Sequence, residues 1–314
     1  MSVNIEMNKI TVITLAYNNL HLIETAVRSV YEQDIRYLNG VEYIIADDGS
    51  QYFDEEYLLS LIKKYDRRDI SFKLIVNEKN VGTVKSLNNA ISHSSGDIIV
   101  PLSADDSFIN SHVLQRISDC FKDSDIKIVT GRRRPFSSEL KSSKSEYPLP
   151  KHITLFKNGN QKKLLKHICV EGNLISGAST YYRKSFLEES GFFDTSYKLL
   201  EDYPFYIKAL SNDVLIALMT EATINYREGG ISTDKKRKNA ALENDFKYLY
   251  RQMLNYDFLS IKDKRKIKYL RLLNKNDKLK LKNVLIYLDV LIPFIYNRSI
   301  ECSLKFLRRK VGLK

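Results

Sequence analysis

The sequence is poor in the residues that mark several common classes of protein. Its 314 residues include no tryptophan, five histidines and three cysteines. The histidines form no HxH or HExxH pattern, which argues against a zinc centre. Cys120, Cys169 and Cys302 have neither metal-ligand nor disulfide-framework spacing. We therefore expect reduced thiols in a cytosolic protein.

Other familiar signals are also missing. The sequence contains neither a Walker loop nor a GxGxxG turn, so the usual signatures of ATP and dinucleotide binding are absent. Residues 1–9 are polar and lead directly into an apolar run, which predicts no signal peptide. The most apolar segment, residues 284–296, is short and contains Asp289 and Pro293. A membrane-spanning helix is therefore not expected.

Positive charge is concentrated at the end of the chain. Residues 235–314 contain 22 Lys or Arg and 7 Asp or Glu, a net charge of +15, which leaves −3 for residues 1–234 out of a total of +12. This division predicts a slightly acidic body and a basic tail that contacts an anionic surface. Solvated lysines and arginines on helix faces are the simpler explanation of the same charges.

Apolar runs and helical patterns alternate through the first part of the chain. The predicted strands are 10–16, 41–46, 72–76, 98–102 and 126–130, and the predicted helices are 20–31, 57–65, 84–91 and 113–121. Alternation of this kind predicts an α/β fold, with a mainly parallel sheet flanked by helices.

Regularity is expected to end at Arg132. Residues 132–150 are rich in Ser, Lys and Pro and predict an exposed loop. A helix over 201–210 and a strand over 214–219 are expected beyond it. After Gly229-Gly230 the pattern becomes helical and basic to the end of the chain.

Three pairs of acidic residues are the main candidates for chemistry. Asp47-Asp48 and Asp105-Asp106 each follow a predicted strand, and Glu201-Asp202 begins a predicted helix. Side chains that follow parallel strands lie along one rim of the sheet, where open α/β folds bind ligands. Carboxylates at such a rim suit a divalent cation and a proton acceptor.

Each pair also has a purely structural explanation. Residues 47–50 have the composition of a turn or a helix cap. Asp105-Asp106 would cap a helix if one began near Phe108. Glu201-Asp202 would be a solvated first helical turn, where acidic residues are favoured.

The order of short motifs along the chain resembles family 2 glycosyltransferases of the GT-A fold. The resemblance covers roughly residues 8–232. The motifs are Thr11 to Asn18, Asp47-Asp48-Gly49-Ser50, Asn80-Val81-Gly82, Asn88, Gly96-Asp97, Ala104-Asp105-Asp106 and Glu201-Asp202.

The resemblance implies a domain organisation and residue roles. Residues 1–232 would form the glycosyltransferase domain, with a nucleotide-binding half at about 8–131 and an acceptor half at about 150–232. Residues 233–314 would form a helical, basic C-terminal region. The implied roles are nucleotide contact by Ala16 and Tyr17, uracil recognition by Asp48, ribose and phosphate contact by Asp105, Mn²⁺ or Mg²⁺ binding by Asp106, and general-base catalysis by Asp202.

Two further residues and one segment bear on the comparison with the family. Lys85 is included among the donor-binding candidates because it could reach a phosphate, although a solvated lysine is the simpler interpretation. Ser103 stands where many relatives have Asp, which removes a possible ribose contact. Residues 226–232 resemble a late family segment that often contains His, but no His is present here.

The implied activity is transfer of a sugar from a UDP-sugar to a hydroxyl of a glycan or a lipid-linked saccharide. A single base opposite the leaving group implies inversion at the anomeric carbon. A nucleotide-sugar binding protein without catalysis is an alternative, which the departure at Ser103 makes conceivable. A nucleic-acid-binding protein is a weaker one, because the positive charge is confined to the tail and no nucleic-acid motif is present.

The resemblance also suggests a location and an acceptor surface. Bacterial cell-surface polysaccharide assembly uses lipid-carried acceptors, so we expect a cytoplasmic enzyme peripheral to the inner face of the cell membrane. The basic tail would then contact anionic lipid. Phe192, Phe193, Tyr203 and Phe205 could stack on acceptor sugars, although most of them are expected to be core residues.

Overall fold

The chain forms two compact units. The computed structural model describes residues 7–136, 146–228, 239–293 and 295–296. The first unit comprises residues 1–168 and 172–245, and the second comprises residues 169–171 and 246–314. The domain boundary expected between residues 232 and 233 lies outside the described residues.

An eight-stranded sheet forms the centre of the first unit. Its strands are β1 (Ile10–Ala16), β2 (Val41–Asp47), β3 (Ile70–Val76), β4 (Ile98–Pro101), β5 (Ser107–Phe108), β6 (Ile128–Phe136), β7 (Thr180–Arg183) and β8 (Ile216–Arg227). The strand order is β3-β2-β1-β4-β7-β6-β8-β5. The first four strands are parallel, β7 is antiparallel to both β4 and β6, and β8 is parallel to β6 and antiparallel to β5. The predicted α/β class with a mainly parallel, mixed sheet is confirmed.

Helices flank the sheet in the first unit, and further helices form the described part of the second unit. They are α1 (Ile23–Tyr31), α2 (Glu55–Tyr65), α3 (Thr83–Ser92), α4 (Val113–Cys120), α5 (Gln161–Val170), α6 (Lys184–Glu189), α7 (Asp202–Ser211), α8 (Ala240–Met253), α9 (Ile261–Ile267), α10 (Lys275–Leu279) and α11 (Leu281–Ile286). Helix α1 shows why these segments form helices against the sheet. Its apolar residues recur at helical spacing, and Ile23, Val27 and Val30 are fully buried. Because helices cover the sheet, every residue of β2 is buried.

The predicted break at Arg132 is wrong for residues 132–136, which continue β6. Parallel pairing with β8 sets Arg134 beside Asn225 and Phe136 beside Arg227. The predicted strand at 214–219 likewise extends to Arg227. β7 pairs only with residues 128–130 of β6. Pro135 lies beyond this pairing, so the N–H that proline lacks is not needed for a hydrogen bond to β7. Residues 137–145 of the predicted loop lie outside the described part of the chain.

The described part of the second unit is helical, as the tail pattern predicted. Helix α9 begins with a capping box in which the Ser260 side chain and Asp263 exchange hydrogen bonds with each other's backbone. A small apolar cluster contains Tyr269, Tyr287 and Val290. Among the described residues, the helices are too short or too polar to cross a bilayer.

Candidate active site

The carboxyl ends of β1, β2 and β3 lie side by side at one edge of the sheet. In the parallel register Ala16 is beside Asp47, and Asp47 is beside Val76. The backbone N–H of Asp48 donates to the carbonyl oxygen of Ala16 at 2.8 Å. The structure therefore brings Ala16 and Asp48 together at the edge where open α/β folds bind ligands.

Two other predicted donor-binding side chains are accessible. Tyr17, directly after β1, is 45% exposed. Lys85 is exposed in the first turn of α3. Both side chains can move toward a ligand without disturbing the core.

Asp47, the last residue of β2, and Asp48, which follows it, have different surroundings. The Asp47 carboxylate accepts hydrogen bonds from the Ser50 backbone N–H at 2.8 Å and the Ser50 hydroxyl at 2.5 Å. These bonds close the turn after β2, so the structural explanation is correct for Asp47.

Asp48 instead anchors the loop between β3 and α3. Its Oδ1 accepts from the Asn77 side chain at 3.0 Å and the Val81 N–H at 2.9 Å. Its Oδ2 accepts from the Asn80 side chain at 3.0 Å and the Gly82 N–H at 2.9 Å. Four donors occupy the roughly four lone-pair sites of a carboxylate. A nucleobase N–H that binds Asp48 must therefore share or replace one of these donors.

The anchored loop in turn contacts the segment that precedes α7. Gly82 has φ of +91°, and a Cβ there would lie 2.7 Å from the carbonyl oxygen of Lys198. The Val84 N–H donates to that oxygen at 3.2 Å. Asn88 exchanges two hydrogen bonds with the Phe193 backbone, at 2.8 and 3.1 Å. The loop anchored by Asp48 and the segment that leads to Asp202 are thus held together.

Asp105 and Asp106 do not cap a helix. The residues after them, Ser107 and Phe108, form β5 and pair with β8. Helix α4 begins at Val113, with His112 at its N-cap. The helix-cap explanation of this acidic pair is therefore wrong.

Asp106 is buried with one carboxylate oxygen unsatisfied. The residue is 1% exposed, Oδ1 accepts from the backbone N–H of Arg227 at 2.8 Å, and Oδ2 has no hydrogen-bond partner. Burial, and then the charge of Asp105, raise the pKa of Asp106 to about 8, although the Arg227 N–H and Ser103 oppose the shift. Burial also raises the pKa of Asp105.

These features fit a divalent cation. A buried carboxylate oxygen without a donor is costly unless a ligand satisfies it, and a second carboxylate is adjacent. Within the described residues no cluster of three His, Cys, Asp or Glu side chains is arranged to hold a metal. The pair therefore suits a cation whose remaining ligands are substrate phosphates and water, as is usual for Mg²⁺.

Asp202 is the first residue of α7 and lies against backbone. Its Oδ1 accepts from the Tyr203 N–H at 2.6 Å, and a Cβ on Gly177 would lie 2.8 Å from its Oδ2. Burial raises the pKa of Asp202 to about 6, against the opposing effect of backbone donors at Tyr203 and Gly177. Burial, and then Asp202, raise the pKa of Glu201. A solvated helix start would not shift the pKa of both carboxyls, so that explanation does not fit this pair.

Asp245 is a site residue that the sequence did not reveal. Its Oδ2 accepts from three consecutive backbone N–H groups, those of Lys198, Leu199 and Leu200, at 2.9, 2.6 and 3.1 Å. Asp245 therefore orients the segment that ends at Glu201 and Asp202. An aspartate within a helical pattern is usually solvated, and no signal in the sequence distinguishes this one.

Most of the aromatic residues near Asp202 belong to the core. Phe193, Tyr203 and Phe205 are at most 4% exposed. The Phe205 ring lies 5.0 Å from the Phe193 ring and 5.7 Å from the Tyr182 ring, between centroids. The expectation that these side chains are mainly core residues is confirmed, and Phe192 is half-buried.

The family of the chain follows from its sequence match. Residues 11–191, more than half of the chain, match the family described as Glycosyl transferase family 2. The chain belongs to this family and is a glycosyltransferase, as its motifs predicted. No protein with a curated description matches the sequence.

Solved structures share the fold. S. aureus TarS 1–349, in complex with UDP-GlcNAc, has a TM-score of 0.59 and 19% identity, over 91% of this chain and 80% of that chain. The mannosyltransferase PcManGT from Pyrobaculum calidifontis, in complex with GDP-Man and Mn²⁺, has a TM-score of 0.58 and 16% identity, over 98% of this chain and 84% of that chain. The predicted GT-A fold is confirmed.

We predict that Asp245→Ala destabilises the protein. The change leaves three N–H groups at residues 198–200 without their acceptor, so we expect a loss of about 2–3 kcal/mol in the free energy of unfolding by urea. Asp245→Asn retains a side-chain acceptor oxygen and should therefore lose less stability than Asp245→Ala.

Asp257→Ala, at an exposed aspartate, is the matched control and should change stability by less than about 0.5 kcal/mol. Equal stability of the Asp245→Ala and Asp257→Ala variants would show that the three hydrogen bonds do not hold the segment.

Proposed function

We propose that this enzyme transfers a sugar from a nucleoside diphosphate sugar, most simply a UDP-sugar, to a hydroxyl of a glycan or a lipid-linked saccharide, with inversion. The observation that supports this best is the unsatisfied, buried Oδ2 of Asp106 beside Asp105. That pair lies just past β4, in the segment that matches the family. The complexes of TarS with UDP-GlcNAc and of PcManGT with GDP-Man support a nucleotide-sugar donor.

Asp106 would hold Mn²⁺ or Mg²⁺, and Asp105 would contact the ribose and phosphates. When bound, the cation supplies Lewis-acid stabilisation of the charge on the departing diphosphate. The Mn²⁺ in the PcManGT complex supports this assignment. The Arg227 N–H holds the Asp106 carboxylate in place through its bond to Oδ1.

The remaining donor contacts would come from the edge formed by β1, β2 and α3. Ala16 and Tyr17 would border the base and Asp48 would accept from it, provided that one of its four present donors gives way. Lys85 would reach a phosphate from the first turn of α3.

Asp202 would act as the general base. Burial raises the pKa of its carboxyl above that of an ordinary aspartate. It is also a stronger base than an ordinary aspartate. A single base that deprotonates the acceptor hydroxyl opposite the leaving group produces one displacement, and hence inversion.

The exposed surface of the second unit supports membrane contact. Between residues 279 and 296, six large apolar side chains are each at least 58% exposed: Leu279, Leu281, Leu285, Ile292, Ile295 and Tyr296. Lysines at positions 275, 278, 280 and 282 alternate with the first of them. Apolar side chains next to basic ones favour anionic lipid. We therefore infer a cytoplasmic enzyme peripheral to the inner face of the membrane.

The first prediction concerns the donor half of the site. UDP titrated calorimetrically into the wild-type protein should bind with Mn²⁺ and much more weakly with excess chelator. Asp106→Ala should remove the dependence on Mn²⁺, because the buried oxygen that holds the cation is lost. Asp97→Ala, at an exposed aspartate directly before β4, should retain the dependence of UDP binding on Mn²⁺. If neither UDP nor GDP binds under any condition, the donor assignment is wrong.

The second prediction concerns Asp202. Asp202→Asn should lower transfer by at least about 100-fold, because it removes the base, while UDP binding changes little. The wild-type rate should fall about tenfold per pH unit below about pH 6, because protonation of the Asp202 carboxylate, whose pKa is raised, inactivates the base. An ordinary aspartate would place this fall near pH ~4. Turnover by Asp202→Asn close to the wild-type rate would exclude Asp202, and donor binding without turnover in the wild type would favour the non-catalytic alternative.

The third prediction concerns the membrane. The protein should sediment with vesicles that contain phosphatidylglycerol and not with phosphatidylcholine vesicles. The double variant Leu281→Asp with Ile292→Asp should lose this binding, because charge replaces apolar contact. Leu59→Asp, at a half-exposed leucine of α2, should bind normally. Equal sedimentation of both variants would contradict the assignment.

A further inference from the structure

Three consecutive arginines of β6 have different surroundings. The pairing of β6 with β8 is irregular on both sides of Arg132, and such a bulge changes the direction of side chains. Arg132 and Arg134 both form ion pairs with Glu146, each at 2.9 Å. Among the described residues, no carboxylate forms an ion pair with Arg133, and its buried Nε has no hydrogen-bond partner.

Arg133 is nevertheless held firmly in place. Its guanidinium lies 4.3 Å from the centroid of the Tyr226 ring and 5.3 Å from that of the Tyr147 ring. Its backbone exchanges two hydrogen bonds with the backbone of Tyr147, at 2.9 and 3.0 Å. Two aromatic faces therefore position the cation without using its N–H donors.

The strands that carry and pair with Arg133 contact both acidic parts of the site. On one side, Tyr226 is followed by Arg227, whose N–H binds Asp106 at 2.8 Å. On the other side, the carbonyl oxygen of Gly131 in β6 accepts from the Ser179 hydroxyl at 3.0 Å. Ser179 belongs to the same short helical turn as Gly177, which contacts Asp202. In agreement, the charge of Arg133 lowers the pKa of both Asp106 and Asp202 against the larger effect of burial.

A half-buried guanidinium with an unsatisfied Nε–H favours an anionic partner. Neither Asp106 nor Asp202 forms an ion pair with it, so its buried Nε–H remains available to a ligand at the site. A guanidinium binds two oxygens of one phosphate at once and remains charged at any physiological pH. Resting on the function proposed above, we propose that Arg133 binds the β-phosphate of the nucleotide donor and stabilises it as the leaving group.

The test compares UDP with UMP, which lacks the β-phosphate. Calorimetry with Mn²⁺ and with chelator should show that Arg133→Ala weakens UDP about 10- to 100-fold, the range expected for charge-assisted hydrogen bonds. Binding of UMP should change less than about twofold, and this also shows that the variant is folded. Arg133→Lys retains the charge without the bidentate geometry, so its affinity for UDP should lie between those of the wild type and Arg133→Ala.

Arg134→Ala is the matched control, because Arg134 is exposed and paired with Glu146; its ratio of UDP to UMP affinity should equal that of the wild type. In Arg133→Ala the turnover number should also fall about 100-fold, since the lost donor stabilises developing charge.

Different failures are distinguishable. If the wild type binds UDP and Arg133→Ala keeps the wild-type ratio of UDP to UMP affinity, the proposal is wrong and the proposed function is unaffected. The same conclusion follows if both affinities fall equally in the Ala and Lys variants, which would indicate a structural role. If the wild type binds neither UDP nor GDP, the proposed function fails first and this inference fails with it.

Discussion

The carboxylate of Asp48 holds together the two segments on which the candidate site depends. Its four hydrogen bonds hold the loop between β3 and α3 against the end of β2. That loop leads into α3, whose Val84 N–H binds the carbonyl oxygen of Lys198. Residues 198–200 are bound by Asp245 and end at the Glu201–Asp202 pair. Removal of the Asp48 carboxylate would therefore disturb the position of the proposed base, Asp202, through these connected segments.

Burial of like charges explains the chemistry of the site. Asp106 and the Glu201–Asp202 pair are raised in pKa mainly by burial, so each is costly to ionise in the free protein. A cation bound by Asp106 would relieve this cost at one side of the site. The Arg133 guanidinium partly relieves it for both sides at present. The buried negative charge that opposes stability would thus favour binding of a metal, and the Arg133 guanidinium would favour binding of a phosphate.

The local sequence predicted the first half of the fold well and the second half less well. β1 has the predicted bounds, and β2, β3 and β4 differ from prediction by at most two residues at an end, because short apolar runs between turns leave few alternatives. The sequence Arg132–Pro135 predicted a loop, but it forms strand because β8 pairs with it. The structural alternative for Asp105-Asp106 required a helix from about Phe108, but Phe108 lies in β5 for the same reason. Pairing with a strand more than 80 residues away overrides local preference.

The sequence by itself determined the family, the α/β class, the basic helical tail and the acidic pairs at the sheet edge. These properties depend on composition, periodicity and motif order, which are local. Only the tertiary structure decided which carboxylate oxygen is unsatisfied, that Asp48 is bound by four donors, and that Asp245 supports the approach to Asp202. It also decided that Arg133, one of three adjacent arginines, lacks a carboxylate partner among the described residues. Each of these depends on contacts between distant segments, and burial and hydrogen bonding are properties of such contacts.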